Sequence, residues 1–174
     1  MAKGDFRMVF DATKLQRDLK KTSGEEAEKA VKKITNRDKL DVGDALIDEM
    51  KIAIAKGISP IKDAGRFPAY LHARSKDKSK YPFSVMDEFP DKKIRPVNLS
   101  LSGKFLKNLK AKVENGTLLV GFFEEPWSKY ELGHREEANG QPKRPIIPQN
   151  EEQFSQSVYR RLVKALQQVF DRKK

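Results

Sequence analysis

Hydrophobic residues recur at the spacing of amphipathic helices in two long parts of the chain. The first part runs from about Asp41 to Lys56 and is followed by Gly57, a residue well suited to end a helix. The second runs from about Glu151 to Arg172, with acidic residues at its start and basic residues at its end, as the helix dipole favours. The apolar stripes comprise Val42, Ala45, Leu46, Met50, Ala53 and Ile54 in the first part, and Phe154, Val158, Leu162, Ala165, Leu166 and Val169 in the second. These patterns predict two long helices.

Shorter patterns precede the first of these helices. Phe6, Met8 and Phe10 alternate with charged or small residues, which predicts a short, half-buried strand. Residues 25–34 have helical spacing, and nothing in residues 35–41 prevents that helix from continuing into the next one.

Asn115 and Gly116 predict a β-hairpin. They lie between residues 111–114 and 117–123, two runs with the composition of strands. The Asn-Gly pair favours a type I′ turn because both central residues of this turn need a positive φ. The second run is apolar on both faces, with Leu118, Val120 and Phe122 on one face and Leu119 and Phe123 on the other. Such a strand is expected to lie inside a sheet or to be covered by another subunit.

Two short helical segments flank the hairpin. One precedes it and has its apolar residues on a single face, and the other follows it and runs from about Trp127 to Gly133. The apolar residues of the first segment are Leu101, Phe105, Leu106 and Leu109. Together these elements predict an α+β fold. A small antiparallel sheet, which includes the hairpin at about 111–123, is flanked by the long helix of the N-terminal half and by the C-terminal helix.

The organisation of the chain predicts a single domain over residues 1–174, with residues 1–40 as an N-terminal extension. Residues 57–97 form a long loop that is interrupted by prolines and glycines and has no sustained periodicity. A loop of that length is unusual inside a compact domain. It has too many aromatic residues for a flexible linker, namely Phe67, Tyr70, Tyr81, Phe83 and Phe89. We therefore expect an ordered loop that contacts other subunits, or one that includes short strands.

Composition narrows the class of protein. Hydrophobic residues make up 37% of the chain and charged residues 35%, which predicts a modest core and a large solvated surface. No apolar run approaches the roughly 18–20 residues of a membrane-spanning helix, and the N-terminal residues show no secretory signal, so we expect no contact with a membrane. The chain has no cysteine, which excludes disulfides and thiolate metal sites.

The formal net charge of +11 favours contact with polyanions. The excess of basic residues is spread along the chain, and its sharpest local cluster lies within residues 72–80. This cluster can face the phosphate backbone of DNA, bind an acidic protein, or belong to a solvated loop. Its candidate DNA-facing residues are Arg74, Lys76, Lys78 and Lys80.

The candidate catalytic groups lack the motifs that would support them. Glu114, Glu124 and Glu125 flank the hairpin near lysines, but no carboxylate–x–lysine pair of a metal-dependent nuclease lies on the second strand. His134 lies near Glu131 and Glu136, either of which could act with it as a general acid–base pair, but no nucleophile or oxyanion motif accompanies them. We therefore predict surface charges and a loop histidine, no enzyme activity, no cofactor and no bound metal.

Five short segments occur in an order that is similar to that of one protein family. After the long helix come Ser59-Pro60 with Gly65, Leu101-Ser102-Gly103-Lys104-Phe105-Leu106, Leu118-Leu119-Val120-Gly121, Tyr130-Glu131-Leu132-Gly133 and Arg144-Pro145-Ile146-Ile147-Pro148, before a closing helix. In this the chain resembles the tail-completion and head–tail joining (neck) proteins of tailed bacteriophages, also called virion morphogenesis proteins. The resemblance covers roughly residues 40–172. The chain departs from the family in its long segment 66–96 and in its first forty residues, which have no counterpart.

The resemblance implies a structural virion protein that is assembled in the host cytoplasm. It implies a small α+β subunit that forms a ring, commonly hexameric, at the head–tail junction, or that completes the tail. The implied partners are other copies of the chain, the connector or adaptor, and the tail terminator or tail tube protein. Basic side chains that face the lumen of such a ring would contact genomic DNA without reading its sequence.

The docking surfaces in such an assembly are expected in residues 58–97, the hairpin and residues 127–148. Trp127 and Tyr130 suit a core as well as an interface, and the Arg144–Pro148 segment can pass its isoleucines to a neighbour or simply lead into the last helix. The candidate interface residues are Phe67, Tyr70, Tyr81, Phe83, Trp127, Tyr130, Arg144, Ile146 and Ile147. The alternative functions are a small basic nucleic-acid-binding protein and a metal-dependent nuclease.

Overall fold

The structure is a computed structural model, and it describes residues 7–9, 29, 32–70, 77, 79, 93–99, 104–136 and 142–173. These residues form an α+β fold, as predicted. The strands are β1 (Arg7–Val9), β2 (Lys110–Glu114) and β3 (Thr117–Gly121). The helices are α1 (Asn36–Ala55), α2 (Lys104–Lys107), α3 (Trp127–Arg135) and α4 (Gln156–Lys173), and a 3₁₀ turn (Glu151–Gln153) precedes α4.

Helix α1 begins at a capping box. The Thr35 hydroxyl accepts a hydrogen bond from the Asp38 backbone N–H at 3.2 Å, and the Asp38 carboxylate accepts one from the Thr35 N–H at 2.8 Å. Residues 33–35 are not helical, so α1 does not continue from a helix over residues 25–34, contrary to what the sequence allowed. At its other end the helix is followed by Gly57, whose φ is +73°, as expected for a terminating glycine.

The sheet is antiparallel and has the strand order β1–β3–β2. Strands β2 and β3 form the predicted hairpin, and Asn115 (φ 49°) and Gly116 (φ 77°) both have the positive φ of a type I′ turn. Because β3 is hydrogen-bonded on both sides, it is the interior strand that its two apolar faces predicted. Strand β1, at the position of the predicted N-terminal strand, pairs with it through Met8 opposite Val120.

The core lies between the sheet and the two long helices. Helix α1 contacts β2, β3 and α4. Its approach to the sheet is close, because a Cβ added at Gly43 would lie 2.5 Å from the Cβ of Ala111. The predicted apolar stripe of α4 is buried from Val158 to Val169. In the part of the chain that the structure describes, no helix is long and apolar enough to cross a membrane.

The first part of the predicted long loop is ordered and packs on the domain. Residues 57–70 include isolated bridges between Ile58 and Arg66 and between Ile61 and Phe154, the residue just before α4. Another bridge joins Ile94 to Val97. The predicted loop therefore includes short β-bridges where it is described, and most of residues 71–92 lie outside the described residues.

Candidate docking site

Five aromatic rings meet where α2, β3 and α3 come together. The ring of Phe105 stacks on that of Phe122, with 4.5 Å between centroids and 8° between planes. Phe105 also lies 6.5 Å from Tyr130 and 5.4 Å from His134, and the Trp127 and Tyr130 rings are 5.8 Å apart. We call Phe105, Phe122, Trp127, Tyr130 and His134 the aromatic cluster.

The aromatic cluster extends from the core to the surface. Phe122 is buried, Phe105, Trp127 and His134 are half-buried, and Tyr130 is 53% exposed. Tyr130 is the most exposed of the large hydrophobic side chains described. Its ring makes edge-on contacts with Phe105 and Trp127, and these contacts reduce the side-chain entropy that is lost when a partner covers the ring.

The position of α3 explains how three of these rings come together. The helix starts directly after Pro126, and the Trp127 N–H donates to the Glu124 carbonyl at 3.0 Å. Residues 127, 130 and 134 then fall on one side of the helix because they are three and four residues apart. That side faces Phe105, which α2 supplies.

An ion pair with a buried carboxylate also holds α3 in place. Glu131 is fully buried, and its carboxylate accepts a hydrogen bond from the Arg135 guanidinium at 3.0 Å. The same guanidinium nitrogen donates to the Ile147 carbonyl at 2.7 Å. Burial raises the pKa of the Glu131 carboxyl, while Arg135 and the backbone of Ile147 act in the opposite direction. This pair ties α3 to the 144–148 segment.

Arg144 is the second buried charge, and it bonds to backbone carbonyls. Its guanidinium donates to Pro68 O at 3.0 Å, to Ala69 O at 2.9 Å and to Pro142 O at 3.4 Å. It also lies over the Tyr70 ring, 4.6 Å from the centroid. With only 2% of its surface exposed, Arg144 joins the 142–148 segment to residues 68–70 inside the domain.

The structure corrects the assignment of five predicted interface residues. Phe67, Tyr70, Arg144, Ile146 and Ile147 are all buried by the chain itself, with Ile146 at 0% exposed. Their side chains pack in the hydrophobic core or, for Arg144, bond to backbone carbonyls of the same chain, so they offer no surface to a partner in this structure.

The remaining predictions fall into two groups. Trp127 and Tyr130 lie together and reach the surface, as a docking site requires. The others lie outside the described residues: Tyr81 and Phe83 of the interface set, and Arg74, Lys76, Lys78 and Lys80 of the DNA-facing set.

The carboxylates considered for metal-dependent chemistry are paired with lysines. Glu114 lies 2.7 Å from Lys112, and Glu124 lies 3.3 Å from Lys110. Glu125 pairs with a lysine of α3 in the same way, at 3.5 Å. Among the residues described, no group of three or more histidine, aspartate or glutamate side chains is placed to hold a metal ion.

The pairing of Glu131 with Arg135 was missed in the sequence, where Glu131 was considered with His134. In the structure the Glu131 carboxylate bonds to Arg135, and the His134 ring packs on Phe105. The spacing of four residues between Glu131 and Arg135 is the signal that favours their pairing on a helix.

Comparison of the chain with protein families, with curated proteins and with solved structures gives no match. The function therefore has to be argued from the residues and their geometry.

Proposed function

We propose that this chain is a structural virion protein of a tailed bacteriophage. In this proposal it forms a ring at the head–tail (neck) junction, or completes the tail so that the tail joins the head. Its work is assembly through surface complementarity, which needs no catalytic group. Its partners are further copies of itself and the neighbouring connector, adaptor, tail terminator or tail tube protein.

The observation that carries this proposal is that the segments behind the family resemblance pack against one another. The Ser59 hydroxyl donates to the Pro145 carbonyl at 2.8 Å, across 86 residues of sequence. Phe105 stacks beside the end of β3 and against Tyr130, and the Arg135 guanidinium links the Glu131 carboxylate to the 144–148 segment. The segments therefore form one packed unit, which is consistent with the proposal.

The aromatic cluster supplies the docking surface in this proposal. Tyr and Trp are the side chains that most often dominate the free energy of protein–protein binding, especially when they are held rigidly. Tyr130 is exposed, Trp127 is half-buried beside it, and the charged side chain of Lys129, next to Tyr130 in the sequence, is exposed. Protein–protein interfaces usually have such an aromatic core, surrounded by a polar rim.

The direct test is to ask where the protein is in a phage that encodes it. Mass spectrometry of purified virions should find the chain in several copies per particle. Deletion of its gene should leave filled heads and separate tails, visible by electron microscopy. Virions that lack the protein, or normal joined particles after the deletion, would rule the proposal out.

The net charge of +11 supports a second candidate, a small basic nucleic-acid-binding protein. This candidate predicts that the isolated monomer binds double-stranded DNA tightly and that affinity falls steeply with salt. The structural proposal predicts no such binding by the isolated monomer. A filter-binding or fluorescence titration at several salt concentrations separates the two.

A further inference from the structure

The outer faces of α1 and α4 have opposite charge. On α1, Asp44, Asp48 and Ile52 are exposed and lie four residues apart, so they form one stripe along the helix. Two of these side chains are acidic, and Ile52 is 47% exposed. We call this stripe the acidic face.

The corresponding stripe on α4 is basic. Tyr159 and Val163 are 44% and 43% exposed, and each is followed by an exposed basic residue, Arg160 and Lys164 respectively. We call these four residues the basic face. Each face thus combines exposed apolar surface with charges of a single sign.

The charges on these two faces have no ion-pair partner in the described part of the chain. At the other end of the same helices the opposite charges are already paired within the subunit, where Lys173 lies 2.9 Å from Asp38 and Arg172 lies 3.5 Å from Asp41. Among the described residues, the complementarity between α1 and α4 is therefore used within the subunit at one end and unpaired at the other.

The exposed apolar residues point to the same surface. Four large hydrophobic side chains are exposed in the described part of the chain, and three of them, Ile52, Tyr159 and Val163, belong to these two faces. A net charge of +11 makes copies of the chain repel each other in general. Helix α1 is an exception to this positive charge, since it has three basic and five acidic residues. Helix α4 has five basic residues and one acidic residue, so the two helices attract each other.

We propose that the occupant of these faces is a second copy of this chain, with the acidic face of one subunit on the basic face of the next. Opposite charges set the orientation, while the apolar side chains of both faces are buried between the subunits. A contact between two different surfaces is heterologous and produces a ring when its rotation closes. The inference deepens the proposed function and rests on it for the identity of the assembly, while its own test measures only self-association.

The test reverses the charge of each face separately. One variant is Asp44→Lys/Asp48→Lys, and the other is Arg160→Glu/Lys164→Glu. Native mass spectrometry and sedimentation velocity should find the wild-type chain assembled and each variant monomeric. An equimolar mixture of the two variants should assemble again, and so should the variant with all four changes, whose net charge is +11 as in the wild type.

The matched control is Glu125→Lys/Glu136→Lys, which changes the net charge as the first variant does but at exposed positions at the two ends of α3. It should assemble like the wild type, and circular dichroism should show that every variant is folded. A wild-type chain that stays monomeric, reversed variants that still assemble, or a mixture that fails to reassemble would each overturn the inference. Self-association without incorporation into virions would leave the inference standing and remove only the proposed function.

Discussion

Two short segments, each with two large hydrophobic side chains and one basic side chain, occupy different environments in this molecule. Residues 144–148 lie inside the domain, with Ile146 and Ile147 in the core, whereas residues 127–130 bring Tyr130 to the surface. Both were candidates for docking on sequence grounds. Apolar composition thus indicates which side chains need to be buried. The polar contacts around them decide whether they are buried within the chain or remain at its surface.

The largest expected effect on stability comes from Arg144, which holds residues 144–148 inside the domain. Arg144→Ala removes hydrogen bonds from a charged group, each of which contributes about 1.5–3 kcal/mol, and leaves the Pro68 and Ala69 carbonyls without those bonds. We expect the free energy of unfolding to fall by about 3 kcal/mol or more in urea denaturation. The control is Lys143→Ala at the exposed neighbouring position, which should change the free energy of unfolding by less than about 0.5 kcal/mol. Equal effects would show that Arg144 does not hold the segment in place.

Replacing one large side chain in each segment by alanine compares the two environments directly. Ile146→Ala leaves a cavity in the core and should cost about 2–5 kcal/mol of stability. Tyr130→Ala removes a half-exposed ring with two edge-on aromatic contacts and should cost only about 1 kcal/mol. Chemical denaturation of both variants measures the two losses of stability. A larger loss for Tyr130→Ala than for Ile146→Ala would contradict the assigned burial of the two side chains.

Asp38 tests the contact between α1 and α4. Hydrogen bonds from Lys173 and then from Thr35 hold the pKa of its carboxyl well below the usual range. A depressed pKa means that the charged form stabilises the fold above the pKa of the unfolded chain, and that this stability is lost as pH falls through the folded-state pKa. Asp38→Asn should therefore cost about 2 kcal/mol at neutral pH. The deficit should shrink in acid, and one that is constant with pH would contradict this origin.

Glu131 gives the smallest expected effect on stability, and its pH dependence is opposite to that of Asp38. Because burial raises its pKa in the folded state, its contribution is fully present below the unfolded-state pKa and is lost as pH rises through the folded-state value. Glu131→Gln imitates the protonated side chain. The stability of the wild type relative to this variant should fall as the pH rises from about 4 towards neutrality. Thermal melts across this range measure the difference, and a flat profile would exclude the assigned direction.

The secondary structure was largely predictable because it depends on local signals. The two long helices follow from apolar periodicity, and the hairpin follows from the positive φ that Asn115 and Gly116 tolerate. The start of α1 was not predicted correctly: the apolar pattern placed it at about Asp41, whereas the helix begins at Asn36 after the Thr35–Asp38 capping box.

The environment of the candidate site was less predictable because it depends on contacts between distant parts of the chain. Phe67 and Tyr70 are buried where Arg144, some 75 residues later, bonds to the carbonyls of the two residues between them. No pattern of apolar residues contains that information. An arginine at the start of an apolar, proline-bounded segment was the available signal, because a buried guanidinium needs acceptors close by.

In the proposed function the aromatic cluster, which reaches the surface at Tyr130, joins this protein to its partners while the 144–148 segment supports it from within. The most direct measurement is the fraction of joined particles, counted by electron microscopy, when purified variants are added to heads and tails from a phage that lacks the gene. The account predicts that folded Trp127→Ala/Tyr130→Ala fails to join them, whereas Lys129→Ala on the same helix joins them as well as the wild type. Normal joining by the double variant would contradict the account.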